Sequence, residues 1–150
     1  MGKQADADLI LRLYDLRREP VMREARNWFF TFNPTNAAEY MDTIMGPQGA
    51  YVRMVISYWD MAASLVNNGG LDEQMFNDAN GEHLFVFAKI EPILAELRQV
   101  WNAPDMLKNF EALVRRIPDN EKTLADMRER IKMIGAMIAE RAAKAQAATA

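Results

Sequence analysis

The 150-residue chain has no cysteine and only one histidine, and those two shortages remove much familiar chemistry. Without thiols there is no disulfide framework and no thiolate metal site, and a reducing compartment, the cytoplasm, is the default expectation. A carboxylate-bridged di-iron site of the helical-bundle type draws a Glu-x-x-His pair from each of two helices, which His83 alone cannot supply. A zinc site built on two or three imidazoles fails for the same reason. A serine nucleophile would have a single imidazole as its base, and there is no Gly-x-Ser-x-Gly elbow. The expectation is a chain with no resident cofactor or metal and no recognisable catalytic residue.

Excess positive charge is missing too. Lys and Arg number 18 against 21 Asp and Glu, a formal net charge of −3, so no nucleic-acid partner is expected. Long apolar runs are also lacking. The longest, Met54 to Val66, is interrupted by Ser57, Asp60 and Ser64 and is too short to cross a bilayer. The opening residues, Met1 to Asp8, are acidic where an export signal is basic and then apolar, and Asp6 stands where a myristoylation motif wants Ser or Thr. No membrane association is expected. The glycines of Gly46-x-x-Gly49 and Gly69-Gly70 lack phosphate-loop and dinucleotide spacing and read as turns.

What is present is a globular composition, 50% hydrophobic and 26% charged, with apolar residues at helical rather than strand spacing throughout. Leu9, Ile10, Leu13 and Leu16 lead to a break at Pro20, after which Val21, Ala25, Trp28, Phe29 and Phe32 resume the period. Asn33-Pro34 looks like the start of a third helix, ended by Gly46-Pro47. From Tyr51 to Asn68 the apolar surface is so wide that only Arg53, Ser57, Asp60, Ser64 and Asn67 form a polar stripe, which predicts a central helix. Asp72 caps a short helix. A long one runs from Glu82 to Trp101, bent at Pro92, with His83 beside its start as a surface or capping residue. Asn102, Pro104 and Asp105 resemble the next helix start, and Pro118-Asp119-Asn120 closes that helix. The last helix carries Leu124, Met127, Ile131, Ile134 and Ile138 at alternating steps of three and four, a seam of heptad type. Residues 142–150 read as a frayed, alanine-rich tail. The fold class is thus all-α: one compact bundle of about six to eight helices over residues 1–150, with a long C-terminal helix.

Two constellations could carry function. On the helix from Glu82 to Trp101, Glu82, Lys89 and Glu96 fall along one side as a wet stripe, while Glu91 and Arg98 fall on the opposite side, flanked by Leu84, Phe87, Leu94 and Ala95. Charges placed there need partners. Asp60 and Arg53 on the central helix and Glu111 or Arg115 on the next are the candidates, forming either a structural network or a pocket for a small polar ligand. The second constellation is the C-terminal seam Leu124, Met127, Ile131, Ile134 and Ile138. Together with Met133 and Met137, among 11 methionines, it offers an adaptable surface for a protein partner or a second copy. Arg128, Glu129, Arg130 and Lys132 mix signs and read as that helix's solvated face.

The run Gly70-Leu71-Asp72-Glu73-Gln74-Met75-Phe76, then Pro92 to Arg98, then Asn109-Phe110-Glu111-Ala112-Leu113, resembles a family of uncharacterised bacterial helical proteins classed as a domain of unknown function. The resemblance covers Tyr51 to Arg116. Many members of that family carry an N-terminal membrane helix, for which these 150 residues show no counterpart. The resemblance implies an all-helical fold and brings no activity, so no functional residue follows from it. The sequence reading is an interaction or regulatory domain that self-associates. Its rival is a small-ligand protein or cofactor-independent enzyme built on Glu91, Arg98, Asp60 and Arg53.

Overall fold

Wherever apolar side chains recur at helical spacing, the chain coils. The computed structural model describes residues 2–150 and contains, among them, eight helices and no strand. In chain order these are α1 (Lys3–Arg17), α2 (Pro20–Phe29), α3 (Ala37–Met45), α4 (Gly49–Asn67), α5 (Glu73–Ala79), α6 (Glu82–Val100), α7 (Lys108–Arg115) and α8 (Asn120–Thr149). No helix among the described residues is long and apolar enough to cross a membrane.

The bundle is compact and is built round α4, which packs against α2, α3 and α7. The wide apolar face of α4 is buried through Val52, Val55, Ile56, Trp59, Ala62, Ala63 and Val66. The second long element, α6, buries Val86, Phe87, Ile90, Ile93, Leu94 and Leu97 and holds α3, α7 and α8 against the core. At roughly 2 kcal/mol for each fully buried large apolar side chain, these two faces supply much of the drive to fold.

Helix ends follow their local chemistry. Glu19 accepts from the Met22 N–H ahead of Pro20, so α1 and α2 are separate helices. Asp72 caps α5 by accepting from the Met75 N–H at 2.7 Å. Gly69, at φ +77°, closes α4, with the Gly70 N–H donating back to the Leu65 carbonyl at 2.8 Å.

Two predicted starts are displaced. The cap of α3 is Asn36, not Asn33: its side chain accepts from the Glu39 N–H, while the Glu39 carboxylate reaches back to the Thr35 N–H. Asn102 does not open α7 but finishes α6. It sits at φ +50°, and the next N–H, of Ala103, donates to the Arg98 carbonyl at 2.9 Å. The first helical residue of α7 is Lys108. Helix α8 continues through the alanine-rich residues to Thr149.

Candidate functional site

Seven residues apart on one helix, Glu91 and Arg98 share a face of α6, and that face looks onto α7 and α8. The Glu91 carboxylate is fully engaged, one oxygen 2.6 Å from Arg128 of α8 and the other 2.7 Å from Arg115 of α7. Arg98 donates to the Met106 carbonyl and pairs with Glu111 at 3.0 Å. These side chains, with Leu94, Ala95 and Glu121, line a cleft of about 470 Å³. Three glutamates face three arginines there, so the cleft as a whole favours neither anion nor cation.

Of the residues expected around Glu91 and Arg98, the structure brings in Glu111 and Arg115 and leaves out the two on α4. The Asp60 carboxylate accepts from the Phe110 N–H at 3.0 Å. It thereby caps the start of α7 from a neighbouring helix, where Leu107, at φ +55°, offers no side-chain cap. Arg53 is exposed on α4, on a side of the helix that does not meet the cleft.

Arg128 is the residue that the sequence reading misplaced, since it does not lie on a solvated face. Pro92 has no N–H and cannot serve the carboxyl-side lone pairs of Ala88 four residues earlier, yet α6 runs through it unbroken. The Arg128 Nε donates to that Ala88 carbonyl at 2.9 Å, while its terminal nitrogen holds Glu91. One guanidinium thus repairs the proline defect and fastens α8 to α6. The signal was present: Arg128 lies four residues after Leu124 and three before Ile131, beside the seam. Arg128→Met is expected to cost about 1–2 kcal/mol in denaturant unfolding, because Glu91 keeps Arg115 while the Ala88 carbonyl loses its donor. An unchanged midpoint would mean that this staple contributes nothing.

The stripe expected to be wet on the other side of α6 is so only at Glu96, which is exposed, while Glu82 is half-buried and Lys89 buried. Glu82 is bracketed by Arg17 at 3.1 Å and Arg26 at 3.0 Å. One heptad on, Lys89 is buried and donates to the carbonyls of Phe29, Phe30 and Phe32 at 2.6, 3.2 and 3.1 Å. A further heptad on, Glu96 accepts from the Ala37 N–H at the first residue of α3. The three charges meet, in order, the end of α1, the end of α2 and the start of α3.

His83 is a second correction. Rather than lying at the surface it is 1% exposed, its ring between those of Trp59 and Phe76 with centroids 5.4 Å away in each case. Burial, and then the charge of Arg17, push its pKa down to about 4, so the imidazole is neutral at physiological pH. Neither ring nitrogen has a hydrogen-bond partner.

The C-terminal seam divides in two. Leu124 is fully buried and Met127 and Ile131 pack on the core, whereas Ile134 and Ile138 are 38% and 55% exposed. Every residue from Lys132 to Ala150 is exposed, and beyond Gly135, which still borders a groove on the body, roughly 20 Å of helix stands clear.

A family model described as a domain of unknown function (DUF4760) matches residues 4–117. The chain belongs to that family. The DUF4760 region takes in α1 to α7 and stops just before α8, so the ion cleft is made of family elements on two sides and of α8 on the third. No curated protein and no solved structure matches the chain. The DUF4760 description assigns no activity, and any function has to be argued from the residues.

Proposed function

We propose that this chain is a helical interaction module that pairs with a second copy of itself through the free half of α8. The observation that carries this reading is the row Met133, Ile134, Met137 and Ile138, between 38% and 61% exposed on a helix that no neighbour covers. A lone helix of that length gains little from its backbone in water and draws its stability from an apolar face against something else. Gly135, Ala136, Ala139, Ala142 and Ala143 leave room for close approach. Glu140, Arg141 and Lys144 mix signs and recruit neither an acidic nor a basic partner. A second copy is the simplest cover, since one twofold axis lets each stripe bury the other. An apolar groove of about 500 Å³, walled by Pro34, Pro92, Ile93, Ile131 and Gly135, extends the same surface where α8 leaves the body.

Sedimentation equilibrium tests this. A dimer is expected at micromolar concentration, and Ile134→Asp with Ile138→Asp should weaken it at least about 100-fold, since each isoleucine contributes roughly 1.5–3 kcal/mol when covered. The helical circular dichroism of the body should be unchanged. A wild-type chain that stays monomeric at high concentration sinks the proposal.

The rival reading, a polar-ligand or acid–base site at Glu91 and Arg98, is favoured by one observation: the cleft reaches both side chains. Against it stands the pairing of all three arginines of the cleft, with Glu91 and Glu111. A ligand would have to displace an arginine already engaged, and we favour the cleft as the joint that orients α8.

A further inference from the structure

Buried polar atoms in folded proteins nearly always have a partner, supplied by protein, by water or by a ligand. Among the described residues, the buried side-chain nitrogen and oxygen atoms left without one belong to four residues: Arg17, Trp59, Asn77 and His83. These atoms are not scattered. The Arg17 guanidinium lies over the Trp59 ring at 5.3 Å, and the Trp59 ring in turn packs on His83. Asn77 and His83 also line one cleft of about 550 Å³ between α5, the start of α6 and the turn after α7.

The cleft has a definite chemistry. At its mouth Glu73 and Arg116 neutralise each other at 2.6 Å. Buried just beneath its floor, His83 has one ring N–H and one bare ring nitrogen, and Asn77 Oδ1 is an unused acceptor. Leu84, Ile117 and Pro118 supply apolar wall. The side-chain amides of Gln74 and Asn80 each spend one N–H, on Asp78 and on the Phe76 carbonyl, so the rim keeps both donors and acceptors. An anion would meet Asn77 Oδ1, Glu73 and these amide oxygens. A cation would meet the donor side of His83 and Arg116. A neutral molecule able both to donate and to accept suits the set.

We infer that this cleft is a binding site for a small neutral molecule bearing a primary amide on an apolar body, its amide reaching Asn77 Oδ1 and the His83 ring once the side chains that cover them shift, and its body lying on Leu84, Ile117 and Pro118. The volume is that of a small-molecule pocket. The site is separate from the free half of α8, so its occupancy does not depend on whether α8 pairs.

Because His83 is the sole histidine, its ring nitrogen resonances report on the site without ambiguity. The ¹⁵N-labelled chain is titrated at neutral pH with benzamide, with benzoate as the anionic counterpart and methyl benzoate as the form lacking a donor. Saturable movement of the His83 resonances with benzamide, at least tenfold weaker with either of the other two, is the expected result. His83→Phe keeps an aromatic ring between Trp59 and Phe76 and should fold, yet should lose benzamide binding at least tenfold. No response to benzamide at millimolar concentration, as water alone in the cleft would give, overturns the inference. So does equal or tighter binding of benzoate, and so does unaltered benzamide affinity in the folded His83→Phe chain, which would place binding elsewhere.

Discussion

Replacing Lys89 with methionine is expected to lower the stability of the fold by about 3 kcal/mol and its thermal midpoint by roughly 10 °C. The side chain keeps its length and its apolar stem, so little packing is lost. What disappears is an ammonium group whose three protons go to the carbonyls of Phe29, Phe30 and Phe32. Those carbonyls end α2 and begin the turn towards α3; that of Phe29 also accepts from the Phe32 N–H, while those of Phe30 and Phe32 have no backbone donor. Burial pushes the Lys89 pKa down to about 8, which still leaves the group charged at pH 7, and a charged donor at the negative end of a helix dipole is well placed. Methionine would strand buried oxygens at a cost of about 1–3 kcal/mol each, partly relieved by water entering. Lys132→Met, on the exposed part of α8, controls for the loss of one charge and should shift the midpoint little. Equal midpoints for the two variants would show that the α2 terminus is satisfied without Lys89.

The same residue shows how far the sequence could be read. Steps of three and four correctly place Glu82, Lys89 and Glu96 on one side of α6, and Glu91 and Arg98 on the other. Periodicity states which residues share a face, however, and says nothing of what that face meets. The stripe reads as solvated because charges usually face water. Here the neighbouring helices supply two arginines to Glu82 and three carbonyls to Lys89, which stand in for water, and one N–H to Glu96, which stays exposed. Those backbone groups are invisible until the ends of α2 and α3 are fixed in space.

Asp60 is missed in a related way. Its spacing on α4 marks a polar stripe, yet its partner is a main-chain N–H of α7, a group that every residue but proline carries. His83 was more legible. His83, Phe87, Ile90, Leu94 and Leu97 recur at steps of four and three on α6 and are all buried, and the rule that a histidine near a helix start faces outward hid that pattern. The seam of α8 was legible, but residues 142–150, expected as a frayed tail, continue the helix to Thr149, and the point at which the seam leaves the body depends on where α6 ends its contact with it.

His83→Phe is expected to be more stable than the natural chain at pH 7 by about 1 kcal/mol, because two buried ring nitrogens without partners are replaced by carbon. The difference should then widen as the solution is acidified. In the unfolded chain the imidazole takes a proton near pH 6.5, whereas in the folded chain burial and the charge of Arg17 hold protonation off until about pH 4. Between those two values the unfolded state binds a proton that the folded state does not, so stability present above pH 6.5 falls as the pH drops towards 4. The interval corresponds to about 3 kcal/mol. Phenylalanine cannot take that proton, so the advantage of the variant should grow to about 4 kcal/mol at pH 4. Carboxylates protonate in the same range, but they are common to both chains and cancel in the difference. Urea unfolding of both chains at pH 7, 5.5 and 4 measures it directly. A gap that stays constant with pH would mean that His83 is protonated within the fold well above pH 4, and hence that something at the floor of the cleft accepts its second N–H.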